Sequence, residues 1–392
     1  MTDIAATPRF PSPRLLRLWA AGTLALLFVL LTIGAFVTSF QAGMADTDWP
    51  TRPWHLAGVN WSDAGFGYLV EHSHRLAGFV VGGAVSLLAL GLWWTEPRTA
   101  VRWAGLVALV GLLAAFGQLH GTLLTHQRVL KETGALTTPN WTTALGPTLA
   151  ALAVVIPLAL GAAATGPAGG GLRLLGVLLL VGVMAQGILG GMRVYLNALI
   201  GPELAAFHGV FSQVVLALAV TVVVLAGPRR DVPADDRWHP DAALVRCGVI
   251  AAAVVFVQIV AGAILRHTDS PLGPRAHLLG AFLVVFATGA AARRSRGAPG
   301  AARGLAVLAA SLAGLQILLG IEAWMIRFKA GFAASRFQAI TEAEAVVRTL
   351  HALTGYGLFA ATVALAVVLF RNRDTAARPT ARRPERRVEA VA

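Results

Sequence analysis

The chain is organised around residues 68–82, Tyr-Leu-Val-Glu-His-Ser-His-Arg-Leu-Ala-Gly-Phe-Val-Val-Gly, where ionisable side chains stand at the start of a long apolar segment. On a helix, Glu71, His74 and Arg75 share one face, while His72 points elsewhere. Ionisable groups are costly at membrane depth and usually face the interior of a helix bundle. The three residues are therefore a candidate functional cluster, with an ordinary helix-end ion pair between Glu71 and Arg75 as the alternative.

The composition indicates a membrane protein. Of 392 residues, 56% are hydrophobic and 13% are charged, and the mean hydropathy is +0.69, far above that of an ordinary soluble domain. The formal charge of +13 could suggest a nucleic-acid partner, but the arginines lie in short loops and in the tail, so we expect none. The single cysteine, Cys247, excludes an intrachain disulfide and a cysteine-based metal site.

Runs without Asp, Glu, Lys or Arg predict ten transmembrane helices. They lie near residues 17–40, 71–95, 101–125, 143–166, 172–194, 203–227, 243–265, 275–292, 303–326 and 347–370. The fourth run contains Pro147 and Pro157, which disfavour a regular helix. The predicted fold class is an all-α polytopic membrane protein.

The arginines predict the orientation, because Lys and Arg in short loops stay preferentially on the cytoplasmic side. The N-terminus, the loop at 228–230, the loop with Arg293, Arg294 and Arg296, and the tail with seven arginines after Phe370 all fall on one side. Residues 1–16 and 371–392 are therefore predicted to be cytoplasmic tails, the second touching anionic lipid. The first apolar run, from Leu18, is expected to be a retained anchor.

Four of the ten histidines stand at the same place in the predicted topology, the start of an even-numbered span. They are His74, His208, His277 and His351. A Gln four residues before a Gly precedes three of them, at Gln186–Gly190, Gln258–Gly262 and Gln316–Gly320. This internal repeat predicts a duplicated bundle, with its two halves at 17–227 and 243–370 joined by a linker at 228–242.

Paired imidazoles across an apolar bundle are the usual protein ligands of a six-coordinate haem. The repeat pairs His74 with His208 and His277 with His351. Zinc is the competing metal, but it would need a tighter cluster of four ligands. Haem propionates favour arginines, and the candidates near the outer ends are Arg75, Arg193, Arg266 and Arg348, with snorkelling to the interface as the alternative for each.

With these motifs in view, the sequence resembles the haem A synthase family of respiratory membranes. The resemblance rests on Glu71-His-Ser-His74-Arg75, on Asp48-Trp49-Pro50, and on the segments 186–194 and 258–268, together with His208-Gly209, His277 and His351. It extends from about residue 18 to 370, apart from spans three and four. It implies two pseudo-symmetric four-helix bundles and oxidation of the ring methyl of haem O to the formyl group of haem A, a step in cytochrome oxidase assembly.

The resemblance also implies roles for the site residues. His277 and His351 would hold a haem b that passes electrons, and His74 and His208 would hold the substrate haem O, with Glu71 as the catalytic carboxylate. The implied partners are the farnesyltransferase that makes haem O, the lipid bilayer, an electron acceptor of unknown identity and a second copy of the chain. The implied location is the inner (plasma) membrane, with the haem sites toward the outer side.

Two features depart from the family pattern. The first outer loop carries no cysteine, and a helix pair at about 101–166 is inserted, which contains Gln118, His120 and His126 but has no histidine at the start of its second helix. This pair resembles a degenerate copy of the repeat. Two other functions stay open: a di-haem electron-transfer cytochrome, and a transporter built from helix repeats.

Overall fold

The computed structural model describes residues 11–46, 48–51, 60, 62–134, 140–166, 169–227, 238–328 and 341–373. Within these ranges there is no β-strand, and ten α-helices are long and apolar enough to cross a membrane. They are α1 (Pro13–Ser39), α2 (Phe66–Trp94), α3 (Thr99–Thr133), α4 (Trp141–Thr165), α5 (Gly170–Tyr195), α6 (Asn197–Ala226), α7 (Ala242–His267), α8 (Leu272–Arg294), α9 (Gly300–Phe328) and α10 (Glu342–Asn372). The predicted fold class and number of spans are therefore confirmed.

Most helices are longer than the apolar runs that predict them. The clearest case is α3, which continues past residue 125 to Thr133 and ends where Gly134 adopts a left-handed φ of 66°. A charge-free run measures only the part of a helix that fits in hydrocarbon, whereas the helix itself can continue into water. Helix α4 is continuous through Pro147 and Pro157, because neighbouring membrane helices can satisfy the backbone groups that a proline frees.

Several helix starts are fixed by side chains that cap the first backbone N–H groups. Ser12, Asn140 and Asp241 each accept a hydrogen bond from the residue three positions later. Thr341 forms a capping box with Glu344 at the start of α10. These caps set where the chain leaves its loops and enters each helix.

The helices pack as two rings. In one ring α1, α2, α5 and α6 each contact two neighbours in that order, and in the other α7, α8, α9 and α10 do the same. We call them the N-terminal and C-terminal bundles. Helices α1 and α6 of the first pack against α7 and α10 of the second, while α3 and α4 pack against each other and against the outside of α2 and α5. This is the arrangement expected for a duplicated bundle with an inserted helix pair.

One end of the molecule gathers the last turns of α1 and α7 and the first turns of α10. Thr349 donates a hydrogen bond to the Ser39 hydroxyl at 2.9 Å, and the Arg266 guanidinium donates to the same oxygen at 2.8 Å. We call this the histidine end. At the opposite end, Arg371 of α10 donates to the backbone carbonyls of Val224 and Gly227 at 2.7 and 2.9 Å. The arginines of 228–230 and most of those in the tail lie outside the described residues.

Candidate functional site

Each of the four histidines packs against a glycine on the preceding helix of its own bundle. A Cβ added at that glycine would lie between 2.9 and 3.4 Å from the imidazole Cε1 atom, so a larger residue would displace the ring. The pairs are Gly34 with His74, Gly190 with His208, Gly262 with His277, and Gly320 with His351. The structure therefore contains four copies of the glycine–histidine contact, one more than the sequence pattern revealed.

The copy that the sequence did not reveal is the first one. Gly34 has Leu30 four residues before it, where the other copies have Gln186, Gln258 and Gln316. The search for a Gln four residues before a Gly therefore passed over it. A search for a glycine near the end of the helix that precedes each histidine, without the glutamine, would have found all four copies.

The glutamines of the repeat bond to the histidine-bearing helix. Gln186 donates to the His208 carbonyl at 2.8 Å, and Gln258 donates to the His277 carbonyl at 2.7 Å and lies 3.2 Å from its Nδ1 atom. Gln316 lies 3.3 Å from the His351 Nε2 atom. In the first copy, the apolar side chain of Leu30 offers no such hydrogen bond, although the Leu30 backbone is bonded to the His74 ring. His74 is thus the one member of the four without an amide latch from this position.

In the C-terminal bundle, the two histidines face each other. The ring centroids of His277 and His351 are 6.1 Å apart, with an angle of 73° between the ring planes. A metal held by both rings would need a separation of roughly 6 Å, because each metal–imidazole bond is about 2 Å long and each nitrogen lies about 1 Å from its ring centre. The separation of the two rings therefore suits a metal bound between them.

In the N-terminal bundle, His74 and His208 are close enough to interact electrostatically. The Nδ1 atoms of His74, His208 and His351 are buried and make no hydrogen bond in the part of the chain that the structure describes. A buried polar atom that makes no hydrogen bond destabilises the folded protein, so such atoms are rare unless they have a functional role. A ligand that binds the imidazoles would supply one.

Glu71 belongs to a polar network that reaches from α2 into the loop after α1. Its Oε2 atom accepts a hydrogen bond from the Asp46 N–H at 2.8 Å, and its Oε1 atom lies 2.7 Å from the Arg75 guanidinium. His72 lies 3.1 Å from the Asp46 carboxylate and stacks on Tyr68. The expectation that His72 points away from the cluster is therefore wrong, because Asp46 arrives from the loop and brings it in.

Arg75 is committed to that loop. Besides Glu71, its guanidinium donates to the Asp46 carbonyl at 2.6 Å, to the Thr51 hydroxyl at 3.1 Å and to the Asp48 carbonyl. It also lies 3.3 Å from the Asp46 carboxylate. A guanidinium has only five N–H donors, so few are left for another anion. Arg75 therefore fixes the loop at the rim of the N-terminal bundle.

The other arginines near the histidines are less occupied. The Arg193 guanidinium abuts Gly43, where an added Cβ would lie 2.6 Å from Nη2, and its Nε is buried with no hydrogen bond among the described residues. It interacts electrostatically with Glu71. Arg193 is thus a cation at the N-terminal histidine pair with an unused donor.

Three arginines gather at the histidine end of the C-terminal bundle: Arg266, Arg327 and Arg348 interact electrostatically with one another. Arg327 was not predicted from the sequence, and its Nε is buried without a hydrogen bond in the described ranges. Its position offers a signal, since it lies in the last turn of α9 as Arg193 and Arg266 lie in the last turns of α5 and α7. Such a cluster favours a ligand with carboxylates.

The described residues hold no group of three or more His, Cys, Asp or Glu side chains that could bind a metal ion. Two imidazoles supply two ligands to a metal ion, so they suit a ligand that brings the other metal-binding atoms itself. The neighbouring arginines favour a ligand with carboxylates. A metal porphyrin has both properties. The fold and site thus define a class: a multi-pass helical membrane protein with two histidine pairs in duplicated bundles.

Comparison with known proteins finds similarity over about a third of the chain. Residues 2–125 match the COX15-CtaA family model, described as cytochrome oxidase assembly protein. A segment of 123 residues is 33% identical to the protein named Heme A synthase of Sphingopyxis alaskensis, covering 29% of this chain and 33% of that protein. Both matches support the haem A synthase family. No solved structure matches.

The matched segment differs from the resemblance read in the sequence. It includes much of α3, which that resemblance left out, and it stops at residue 125, well before His208, His277 and His351. The Glu71-His-Ser-His74-Arg75 motif lies inside it. The alignment spans about a third of the curated relative, so for the rest of the site the argument depends on the repeat geometry.

Proposed function

We propose that this chain is a haem A synthase, which oxidises the ring methyl of haem O to the formyl group of haem A. The observation that carries the proposal is the fourfold glycine–histidine contact, because it brings two imidazole pairs into two equivalent bundles. The family model matches residues 2–125, a segment that includes Glu71 and His74. One pair would hold a resident haem and the other the substrate.

We assign His277 and His351 to haem b. The 6.1 Å between their ring centroids would let both imidazoles hold the haem iron, and Arg266, Arg327 and Arg348 supply the positive charge that two propionates favour. Bound there, haem b would supply reversible one-electron transfer. The chain's own part is to fix the imidazoles: Gln258 latches the His277 helix by its backbone carbonyl, and Gln316 lies against the His351 ring.

We assign His74 and His208 to the substrate, haem O. Arg193 stands beside them with an unused donor and fits a propionate. Gly78, one turn after His74, and Gly209, next to His208, have nothing within 4 Å of an added Cβ, so there is open space beside both histidines. These features favour a bound tetrapyrrole in the N-terminal bundle as well.

The reaction needs water, an electron acceptor and a base. Converting a methyl to a formyl group through the alcohol takes one oxygen from water and releases four electrons and four protons. Glu71 is the carboxylate of this site, 5% exposed, and its oxygens are aligned by the Asp46 N–H and the Arg75 guanidinium. Each carboxylate oxygen keeps a free lone pair, so Glu71 can accept a proton from the attacking water.

The second candidate is a di-haem electron-transfer cytochrome. One observation favours it: Glu71 already fixes the first loop through Asp46 and Arg75, so its burial can be explained without chemistry on a substrate. In a cytochrome, both haems would be resident and neither would change. The two functions therefore differ in the pigment that the protein contains.

The test is expression beside an enzyme that makes haem O, followed by extraction and chromatography of the pigments. A haem A synthase yields haem A, and the yield falls to background in the His74→Ala and His208→Ala variants. The matched control is Glu322→Gln, an exposed acidic residue of α9. Haem B and haem O without haem A, in protein that is folded and membrane-inserted, would favour the cytochrome.

A further inference from the structure

We propose that the inserted helices α3 and α4 are a brace that holds the first loop across the N-terminal histidine pair, with Trp49 as the positioning residue. The first loop means here residues 40–46 and 48–51, between α1 and α2. The inference rests on the proposed function in that it names what positions the substrate site. It assigns a role to a helix pair to which the proposed function gives none.

The loop meets the inserted helices through an apolar contact. The Trp49 indole packs on a buried cluster made by Leu119 and Leu123 of α3 and Ala144 of α4. On its other side the indole lies against Gly191 of α5, where an added Cβ would come within 2.0 Å of the ring. Trp49 is thus wedged between the inserted pair and the wall of the N-terminal bundle.

Polar contacts from α3 hold the backbone on either side of Trp49. With its oxygen toward the loop N–H, the Gln127 amide accepts from the Trp49 N–H and donates to the Pro50 carbonyl, each at 3.1 Å. Lys131 forms an ion pair with the Asp48 carboxylate. His120 lies beside the Thr51 backbone and meets the Phe79 ring of α2 edge-on at 5.7 Å. His120 is thereby placed against the loop rather than opposite a second imidazole.

From the bundle side, the same loop is held by the Glu71 and Arg75 network, so it is clamped between α2 and α3. The position of the loop affects the site, because Trp49 packs on Gly191 and the His208 ring packs on the neighbouring Gly190. Gly43 of the loop abuts Arg193. A displaced loop would therefore disturb the His208 wall and the Arg193 cation together.

The residues of α3 that bond to the loop lie in the part of the helix that exceeds the length needed to span the bilayer. Helix α3 has 35 residues, about four turns more than the roughly 20 residues that span a bilayer, and Gln127 and Lys131 lie in that excess. At a rise of about 1.5 Å per residue, the six residues beyond Gly121 that end at Gln127 add about 9 Å of height. The brace contacts extend from Leu119 to Lys131, over the last turns of α3.

The test uses the full-length protein with two bracing variants and one control. Gln127→Leu removes both amide hydrogen bonds, and Leu123→Ala removes part of the surface under Trp49. The control is Glu132→Gln, which changes an exposed residue of the same last turns of α3. Hydrogen exchange of the Asp46–Thr51 amides is measured by mass spectrometry, and the ratio of haem O plus haem A to haem B is measured in the extracted pigment.

We expect Gln127→Leu to speed exchange in the loop about tenfold, as for the loss of two net hydrogen bonds, and to lower the pigment ratio. Leu123→Ala is expected to do the same, and Glu132→Gln to change neither. Unchanged exchange in Gln127→Leu would overturn the brace. Faster exchange with an unchanged ratio would overturn its link to the site. If the unmodified protein contains neither haem O nor haem A, the proposed function has failed, and exchange alone decides whether the brace exists.

Discussion

The two bundles repeat one contact but surround it differently. In both, an imidazole packs on a glycine of the preceding helix. In the C-terminal bundle the pair is attended by three arginines and is latched by Gln258 and Gln316. In the N-terminal bundle Gln186 latches only one member, and a buried carboxylate, Glu71, stands beside the pair.

The difference indicates a division of labour. A resident cofactor benefits from fixed ligands and charge-matched propionates, whereas a substrate must enter and leave, and its site must also carry a reacting group. Among the described residues, the buried carboxylates are Glu71 and Glu96, and both belong to the N-terminal half. The duplicated fold thus supplies the histidine pair twice, and the polar residues around each pair determine whether it holds a cofactor or a substrate.

The sharpest way to break this comparison is to remove the ligands of one bundle at a time. We expect His277→Ala and His351→Ala each to abolish the low-spin b-type spectrum of the purified protein, because a six-coordinate haem loses an axial ligand. His74→Ala should leave that spectrum in place. The check is the reduced-minus-oxidised absorption spectrum with haem B quantified per protein. An intact b-type spectrum in both C-terminal variants would remove the assignment of the resident haem.

The next largest effect is expected at Glu71, the buried carboxylate beside the N-terminal histidine pair. Glu71→Gln keeps the side-chain shape but cannot accept a proton, so we expect haem A formation to fall about 100-fold or more while haem content is preserved. The measurement is the pigment ratio in cells that make haem O. The companion variant Arg75→Lys loosens the loop but leaves the carboxylate in place. A loss of haem A formation in Arg75→Lys, together with full haem A formation in Glu71→Gln, would assign Glu71 to the loop alone.

The fold was predictable from the sequence because membrane helices are specified by apolar runs and arginine-bearing loops. The ten spans and the four histidines at helix starts follow from those local patterns. Helix ends were less predictable, as α3 shows, because beyond the hydrocarbon the helix is limited by its glycine C-cap and not by hydropathy.

The site was predictable where it depends on repetition and unpredictable where it depends on loops. The pairing of His277 with His351 follows from the repeat, and Glu71 with Arg75 from helical spacing. Asp46 and Trp49 reach their partners through a connection whose path has no periodicity to read. The contacts of Trp49 with α3 and α5 join residues far apart in sequence, and only tertiary packing reveals them.

A smaller effect is expected at the opposite end of the N-terminal bundle, where the inserted pair is tied in by ions. Glu96 is 0% exposed and lies 2.7 Å from Arg98 and 2.8 Å from Arg173 of α5. Its hydrogen bond to Arg98 holds the pKa of the Glu96 carboxyl below its usual value of 4.5. A carboxyl with a lowered folded-state pKa stabilises the fold above its unfolded pKa, and this stabilisation is lost as the pH falls through the folded value.

We therefore expect the thermal midpoint in detergent to fall as the pH drops below about 4.5, and Glu96→Gln to flatten that part of the profile. At neutral pH, Glu96→Gln should cost roughly 3 kcal/mol, because Arg173 is left buried without its anion. Glu203→Gln, at an exposed position of α6, is the control. The same acid dependence in Glu96→Gln as in the unmodified protein would show that another group is responsible.

The smallest expected effect sharpens the comparison most directly, because it gives the first copy of the repeat what the other three have. In Leu30→Gln, the new amide lies one turn before Gly34, where Gln258 and Gln316 lie in the C-terminal bundle. If it latches the His74 helix, the substrate haem should be retained about threefold better during a detergent wash, the size expected for one net hydrogen bond. Turnover should fall, because the product leaves more slowly.

The matched variants are Leu26→Gln, one turn earlier at an exposed position, and Gln258→Leu, which makes the reverse change in the other bundle. Leu26→Gln should leave retention unchanged, and Gln258→Leu should loosen haem b. If Gln258→Leu has no effect on haem b, then the glutamines serve helix packing alone. The difference between a held and an exchangeable haem must then come from the charges: three arginines at one pair, and Glu71 with Arg75 and Arg193 at the other.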